Sequence, residues 1–151
     1  MRTIPLFVVL VLVLGPISSA DFYAFCSETE EQPAECVRGL VANWSRRDGA
    51  GHEEFSTKLA LSFAAHPRLV LRELAKVPAD FDAWLEDLGG NTFYVFDRQG
   101  TVSGDMLGAA ESKLRDLMLK EARSLSADSD YADSARRLLA VLEAIEISWM
   151  E

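Results

Sequence analysis

The chain is 151 residues long, with 15 Lys and Arg against 24 Asp and Glu, a net charge of −9 and 49% hydrophobic residues. That length suits one domain, and the apolar content is enough to bury a core, which excludes a wholly disordered chain. The acidic balance excludes nucleic acid as the expected partner, because neutralising phosphates needs a basic surface.

Residues 1–20 have the pattern of a secretory signal peptide: Arg2, an apolar run over 6–14, the break Gly15-Pro16, and small residues ending at Ala20. The run is shorter than the roughly 20 apolar residues a membrane anchor needs, and Asp21 stands where a lipid-modified chain would carry Cys. Cleavage after Ala20 would leave 14 cations against 24 carboxylates, a net charge of −10 over the 131 residues of 21–151, which are expected to form a single helical domain. No later stretch reaches membrane-spanning length. The expected location is therefore the secretory pathway, most simply a bacterial periplasm or the extracellular space.

Cys26 and Cys36 are the two cysteines of the chain, and in an exported protein they are expected to form a disulfide. Closing a loop of about ten residues stabilises by roughly 2.5–3 kcal/mol in the chain-entropy account. Their spacing is not the C-x-x-C of a redox pair, and two cysteines without nearby histidines make a poor zinc site.

Pro33 opens the first expected helix, with Val37, Leu40, Val41 and Trp44 on one face. A second helix is expected over 52–65, burying Phe55, Leu59 and one of Ser62 or Phe63. Pro67 starts a third, with Val70, Leu71, Leu74 and Val77 inward, and Pro78 a fourth, with Phe81, Trp84, Leu85 and Leu88; Gly89-Gly90 reads as its stop. The segment after it lacks helical periodicity, and Asp97-Arg98-Gln99-Gly100 reads as a tight turn, so a short β-hairpin is expected near 92–103. Two long amphipathic helices follow. The first carries Leu107, Ala110, Leu114, Leu117, Ala122 and Leu125 inward, with Glu111–Arg115 and Asp116–Lys120 as outward pairs one turn apart. The second carries Tyr131, Ala135, Leu138, Leu142, Ile145 and Trp149 to the chain's end. Together they predict an antiparallel helix hairpin closing an all-α, multi-helix domain of about six helices, with a HEAT-like α-hairpin stack as the alternative.

The chemistry-bearing residues do not assemble into a motif. His52-Glu53-Glu54 lacks the second histidine of a zinc-protease helix, since position 56 is Ser. His66 sits at a helix junction, where capping or packing is the expected role. Asp128, Asp130 and Asp133 fail the EF-hand pattern and read as helix-start carboxylates. Ser103 has no elbow motif around it, and the carboxylate pairs Asp80–Asp82 and Glu86–Asp87 are unremarkable among 24 acids. No catalytic residue, cofactor or metal is expected. Asn43-Trp44-Ser45 matches a glycosylation sequon, though Trp44 belongs to the core stripe.

Arg68, Arg72 and Lys76 follow one another at four-residue intervals and are expected to line one exposed edge of an acidic protein. The expected function is that of a non-enzymatic protein-binding module, such as an inhibitor, an immunity factor or an envelope accessory protein, and the expected partner is another protein. The alternative is a small-molecule or lipid carrier with an aromatic-lined pocket beside Trp84 and Phe93.

Overall fold

Proline supplies the first residue of three helices, where its missing N–H would have no partner anyway and its fixed φ is already helical. The computed structural model describes residues 26–28, 31–44, 52–96, 104–146 and 148–150, with backbone alone for 52–54, 90–91, 94–96, 104–107 and 148–150. The expected presequence 1–20, the turn 97–100 and Ser103 lie outside them. Helix α1 spans Pro33–Trp44, α2 His52–Ala65, α3 Pro67–Leu74, α4 Pro78–Asp87, α5 Gly104–Leu125 and α6 Ala132–Ala144. Neither His66 nor Val77, the residues preceding Pro67 and Pro78, gives its helix a side-chain cap, so these starts rest on the prolines.

The architecture is mainly helical. Helix α2 lies at its centre, packed against α1, α3, α4, α5 and the turn after α4. Its sequence explains why. Ser56, Leu59, Ala60, Ser62 and Phe63 are all buried, and nothing from 55 to 65 is exposed. Small residues on several faces let neighbouring helices approach from several sides. Expectation had given this helix one inner stripe and a choice between Ser62 and Phe63; both are inside, while Phe55 is half-buried. In a linear stack each unit touches only its neighbours, and this central helix departs from that plan.

Around α2 the other stripes fall as expected, except that α3 ends before Val77, which is half-buried. Val37, Leu40, Val41 and Trp44 of α1 are buried, as are Val70, Leu71 and Leu74 of α3 and Phe81, Trp84 and Leu85 of α4. Trp84 is the pivot: its ring lies 6.3 Å from Phe63 and 6.4 Å from Phe81, and its Nε1 donates to the Ser56 carbonyl at 3.4 Å. The Gly89-Gly90 stop is displaced. The chain continues as a π-helical turn over Leu88–Thr92, in which the Thr92 hydroxyl donates to the Asp87 carbonyl at 3.5 Å and meets the Ser56 hydroxyl at 2.5 Å. These bonds satisfy groups that the abrupt end of an α-helix would leave open.

Helices α5 and α6, joined by 126–131, form the most extensively packed pair. The buried face of α5 uses Ala110, Leu114, Met118, Leu119, Ala122 and Leu125; Leu117, expected inside, is half-buried, because a helix wedged between α2 and α6 presents a broader face than one stripe. The expected continuation of α6 to the chain's end is corrected. It stops at Ala144, where Ile145 turns extended (φ −72°, ψ 122°), and Ser148–Met150 forms a strand. β-Branched and aromatic residues at 145, 147 and 149 favour that conformation. This strand, β2, pairs in parallel with β1, Tyr94–Phe96, in the register Tyr94 with Ser148, Val95 with Trp149 and Phe96 with Met150. The first arm of the expected hairpin thus finds the chain's far end as a partner; its return arm, 101–103, lies outside the described residues.

Candidate functional site

The disulfide fixes where the site begins. Cys26 and Cys36 are bonded, with Cα atoms 5.6 Å apart, and Cys26 is fully buried. Two further bonds hold the segment before α1. The Cys26 N–H donates to Ser62 Oγ at 3.0 Å, and the His66 Nε2 proton goes to the Ser27 carbonyl, which can only accept. His66 therefore ties chain segments together, and its side chain caps no helix. Ser62 in turn donates to the Lys58 carbonyl at 2.8 Å. Through this clip α1 lies against α3, and the exposed side of that pair carries the charges.

On α3 and the turn after it stand Arg68, Arg72 and Lys76, whose side chains are 61%, 49% and 59% exposed. They do not act as one row. Arg68 belongs to the linker before α6: it forms an ion pair with Asp128 and lies 5.6 Å from the centre of the Tyr131 ring. Arg72 and Lys76 gather instead on Glu73, which is 4% exposed among the apolar residues of α3. Lys76 Nζ is 2.6 Å from Glu73 Oε2, and Arg72 Nε is 3.6 Å from Oε1. The Lys76 hydrogen bond, together with the charges of Lys76, of Arg38 from α1 and of Arg72, holds the Glu73 pKa below its ordinary value against the opposing effect of burial.

Glu73 and Arg38 were not singled out from sequence. A signal existed: Glu73 interrupts the apolar set 70, 71, 74 while standing one residue after Arg72 and three before Lys76. The acids that meet these cations are Glu73 and Asp128. Both occur in stretches already assigned to other roles.

Beside this edge, between the start of α3 and the end of α5, runs a groove of about 280 Å³ lined by His66, Pro67, Arg68, Leu69, Glu121, Ser124 and Leu125. It is distinct from the Trp84–Phe93 region, where the aromatic rings expected to line a pocket are buried: Trp84 packs on Phe63 and Phe81, and Phe93 is 3% exposed.

The remaining candidates are accounted for locally. Asp128 accepts the Asp130 N–H at 3.1 Å and Arg68, which lower its pKa, so its oxygens make a turn and an ion pair rather than the expected helix cap. Asp82 pairs with Arg137 at 2.6 Å, and that guanidinium also covers the Phe81 ring at 5.1 Å. The side chain of His52 lies outside the described residues. Asn43 is exposed on α1 while Trp44 is buried. Glu111 and Arg115, expected as an outward pair, are partly buried: Arg115 donates to the Ile145 carbonyl at 2.7 Å, and burial raises the Glu111 pKa to about 7. Among the described residues no three His, Cys, Asp or Glu side chains are grouped to hold a metal ion, and no helix is long and apolar enough to cross a membrane. No family model, curated protein or solved structure matches this chain.

Proposed function

We propose that this is an exported helical protein that works by binding another protein, as an inhibitor, immunity factor or envelope accessory does, without chemistry of its own. The observation that carries this reading is the charged edge of α3: Arg72 and Lys76 stay about half exposed on an acidic chain while gripping a buried carboxylate. The cations outweigh the cost of burying the carboxylate and lower its pKa, yet half-exposed ion pairs add only modestly to stability, so stability alone is a weak reason for the arrangement. Fixed cations on an acidic surface suit recognition, in which complementary charge selects and orients the partner.

Export rests on the presequence pattern of residues 1–20 and on the Cys26–Cys36 bond, a linkage that persists in oxidising compartments. The test is affinity purification of the tagged protein from envelope and secreted fractions of the organism that makes it. The expected result is one protein recovered in stoichiometric amount. A protein that elutes as a lone monomer from those fractions, at salt from about 50 to 300 mM, a range spanning weak to strong screening, counts against the proposal.

A further inference from the structure

The cations around Glu73 come from two elements that are far apart in sequence and held together by packing. Arg38 is exposed on α1, Arg72 on α3, and Lys76 in the turn that follows, while the carboxylate that Arg72 and Lys76 share is 4% exposed. We propose that Arg72 and Lys76, gathered on Glu73, with Arg38 on the adjoining helix α1, form the docking surface for an acidic segment of a partner protein, one that presents two carboxylates about a helical turn apart. This inference rests on the protein-binding reading above and names the surface and the partner's chemistry.

Charge and donor capacity lead to that occupant. Arg72 and Lys76 share one buried carboxylate, to which Arg38 adds its charge, so cations outnumber the acid beneath them on a chain whose own net charge is −9. Lys76 uses one ammonium proton on Glu73 and has two more. Arg72 approaches Glu73 through Nε at 3.6 Å, beyond hydrogen-bond reach, and its terminal amino groups can take a carboxylate end-on with two bonds. Glu73 lies beneath, so it fixes the cations without blocking the outside. Arg72 and Lys76 are four residues apart, which matches carboxylates four apart on a helix or two apart on an extended strand. Arg68 is excluded, being engaged with Asp128 and Tyr131. The patch is also short. Glu35 precedes Arg38 by three residues and Asp80 follows Lys76 by four, so a long polyanion such as nucleic acid or an anionic bilayer would have acidic side chains beside its path.

The probe is an alanine-based, acetyl-blocked helical peptide with two glutamates four residues apart, alongside its glutamine counterpart. Each is titrated into the ¹⁵N-labelled protein at about 50 mM salt, where screening is weak. The glutamate peptide is expected to shift the resonances of Arg38, Arg72 and Lys76, and the glutamine peptide to leave them in place. The double variant R72E/K76E, altered at exposed positions and checked for native amide dispersion, should bind at least tenfold more weakly, as should R38E alone. Absent shifts, shifts centred elsewhere, or displacement of the peptide by oligo-dT or phosphatidylglycerol vesicles would overturn the proposal. Partner capture separates the two levels of inference. Equal recovery of one partner by wild type and R72E/K76E refutes this surface and leaves protein binding standing. Peptide binding as expected, with a lone monomer in extracts, does the reverse.

Discussion

Glu111 makes the stability of this protein fall as the pH rises towards neutrality, against the habit of carboxylates. Its Oε2 is buried without a hydrogen-bond partner, and Arg115, one turn along α5, spends its Nη1 on the Ile145 carbonyl while its own Nε is also buried and unbonded. Burial therefore acts on the carboxyl uncompensated and raises its pKa from 4.5 to about 7. Between those values the folded chain holds a proton that the unfolded chain releases. The stabilisation is thus complete below about pH 4.5 and is lost as the pH climbs to about 7. At about 1.4 kcal/mol per pH unit the loss amounts to about 3 kcal/mol, a large share of the ~5–15 kcal/mol that holds a domain together. Urea unfolding followed by tryptophan fluorescence at pH 5, 6, 7 and 8 measures it. With a slope of ~1.5 kcal/mol per molar, the wild-type midpoint should drop by about 2 M across the series. E111Q, neutral throughout, should hold a flat midpoint and be the more stable protein at pH 8. A flat wild-type profile, or the same slope in E111Q, would refute the assignment.

Glu73 acts in the opposite direction. Its pKa is lowered, so its contribution is present above about pH 4.5 and disappears as the pH falls through the folded value, which places maximum stability near pH 5 in a plot of unfolding free energy against pH. E73A should cost about 1 kcal/mol at pH 7, because the cations it frees are half exposed and remain hydrated, and the acid limb of that plot should flatten. C36S should lower stability by roughly 2.5–3 kcal/mol in urea titrations. S62A should cost ~1–3 kcal/mol with the bridge intact, by stranding the buried Cys26 N–H, and clearly less in the C36S background, where that N–H can reach water; equal costs would show that the two anchors are independent. W84A, which removes the ring shared by Phe63 and Phe81, should cost about 3–5 kcal/mol by thermal or urea unfolding.

Where a helix meets the core along one stripe, its spacing could be read directly. Val37 to Trp44, the inward set of α4 and the punctuation by Pro33, Pro67 and Pro78 all fall in place. The failures share a cause, because periodicity describes a helix with one wet face. Helix α2 has buried residues on several sides, so its stripe was ambiguous, and α5, packed on two sides, buries Met118 where Leu117 was expected. The spacing of Ile145 and Trp149 continued the helical series, yet Arg115 and the pairing with Tyr94–Phe96 draw that stretch out into a strand. At the site, the four-residue spacing drew attention to Arg68, Arg72 and Lys76 but did not give their partners, and Arg68 stands apart from the other two. Ion pairing depends on which acids the fold brings close, and Asp128 is 60 residues from Arg68.

The enclosure of α2 bears on how this molecule comes apart. A helix covered by α1 and α3 from one half of the chain and by α5 from the other cannot be exposed by fraying either half alone. Its amide protons over 56–65 should then exchange with deuterium only through global unfolding, at rates set by the full stability, and those of α6 faster. Fragments cut between α4 and α5 would each lack part of the sheath that α2 requires, and should regain slow exchange there only when mixed.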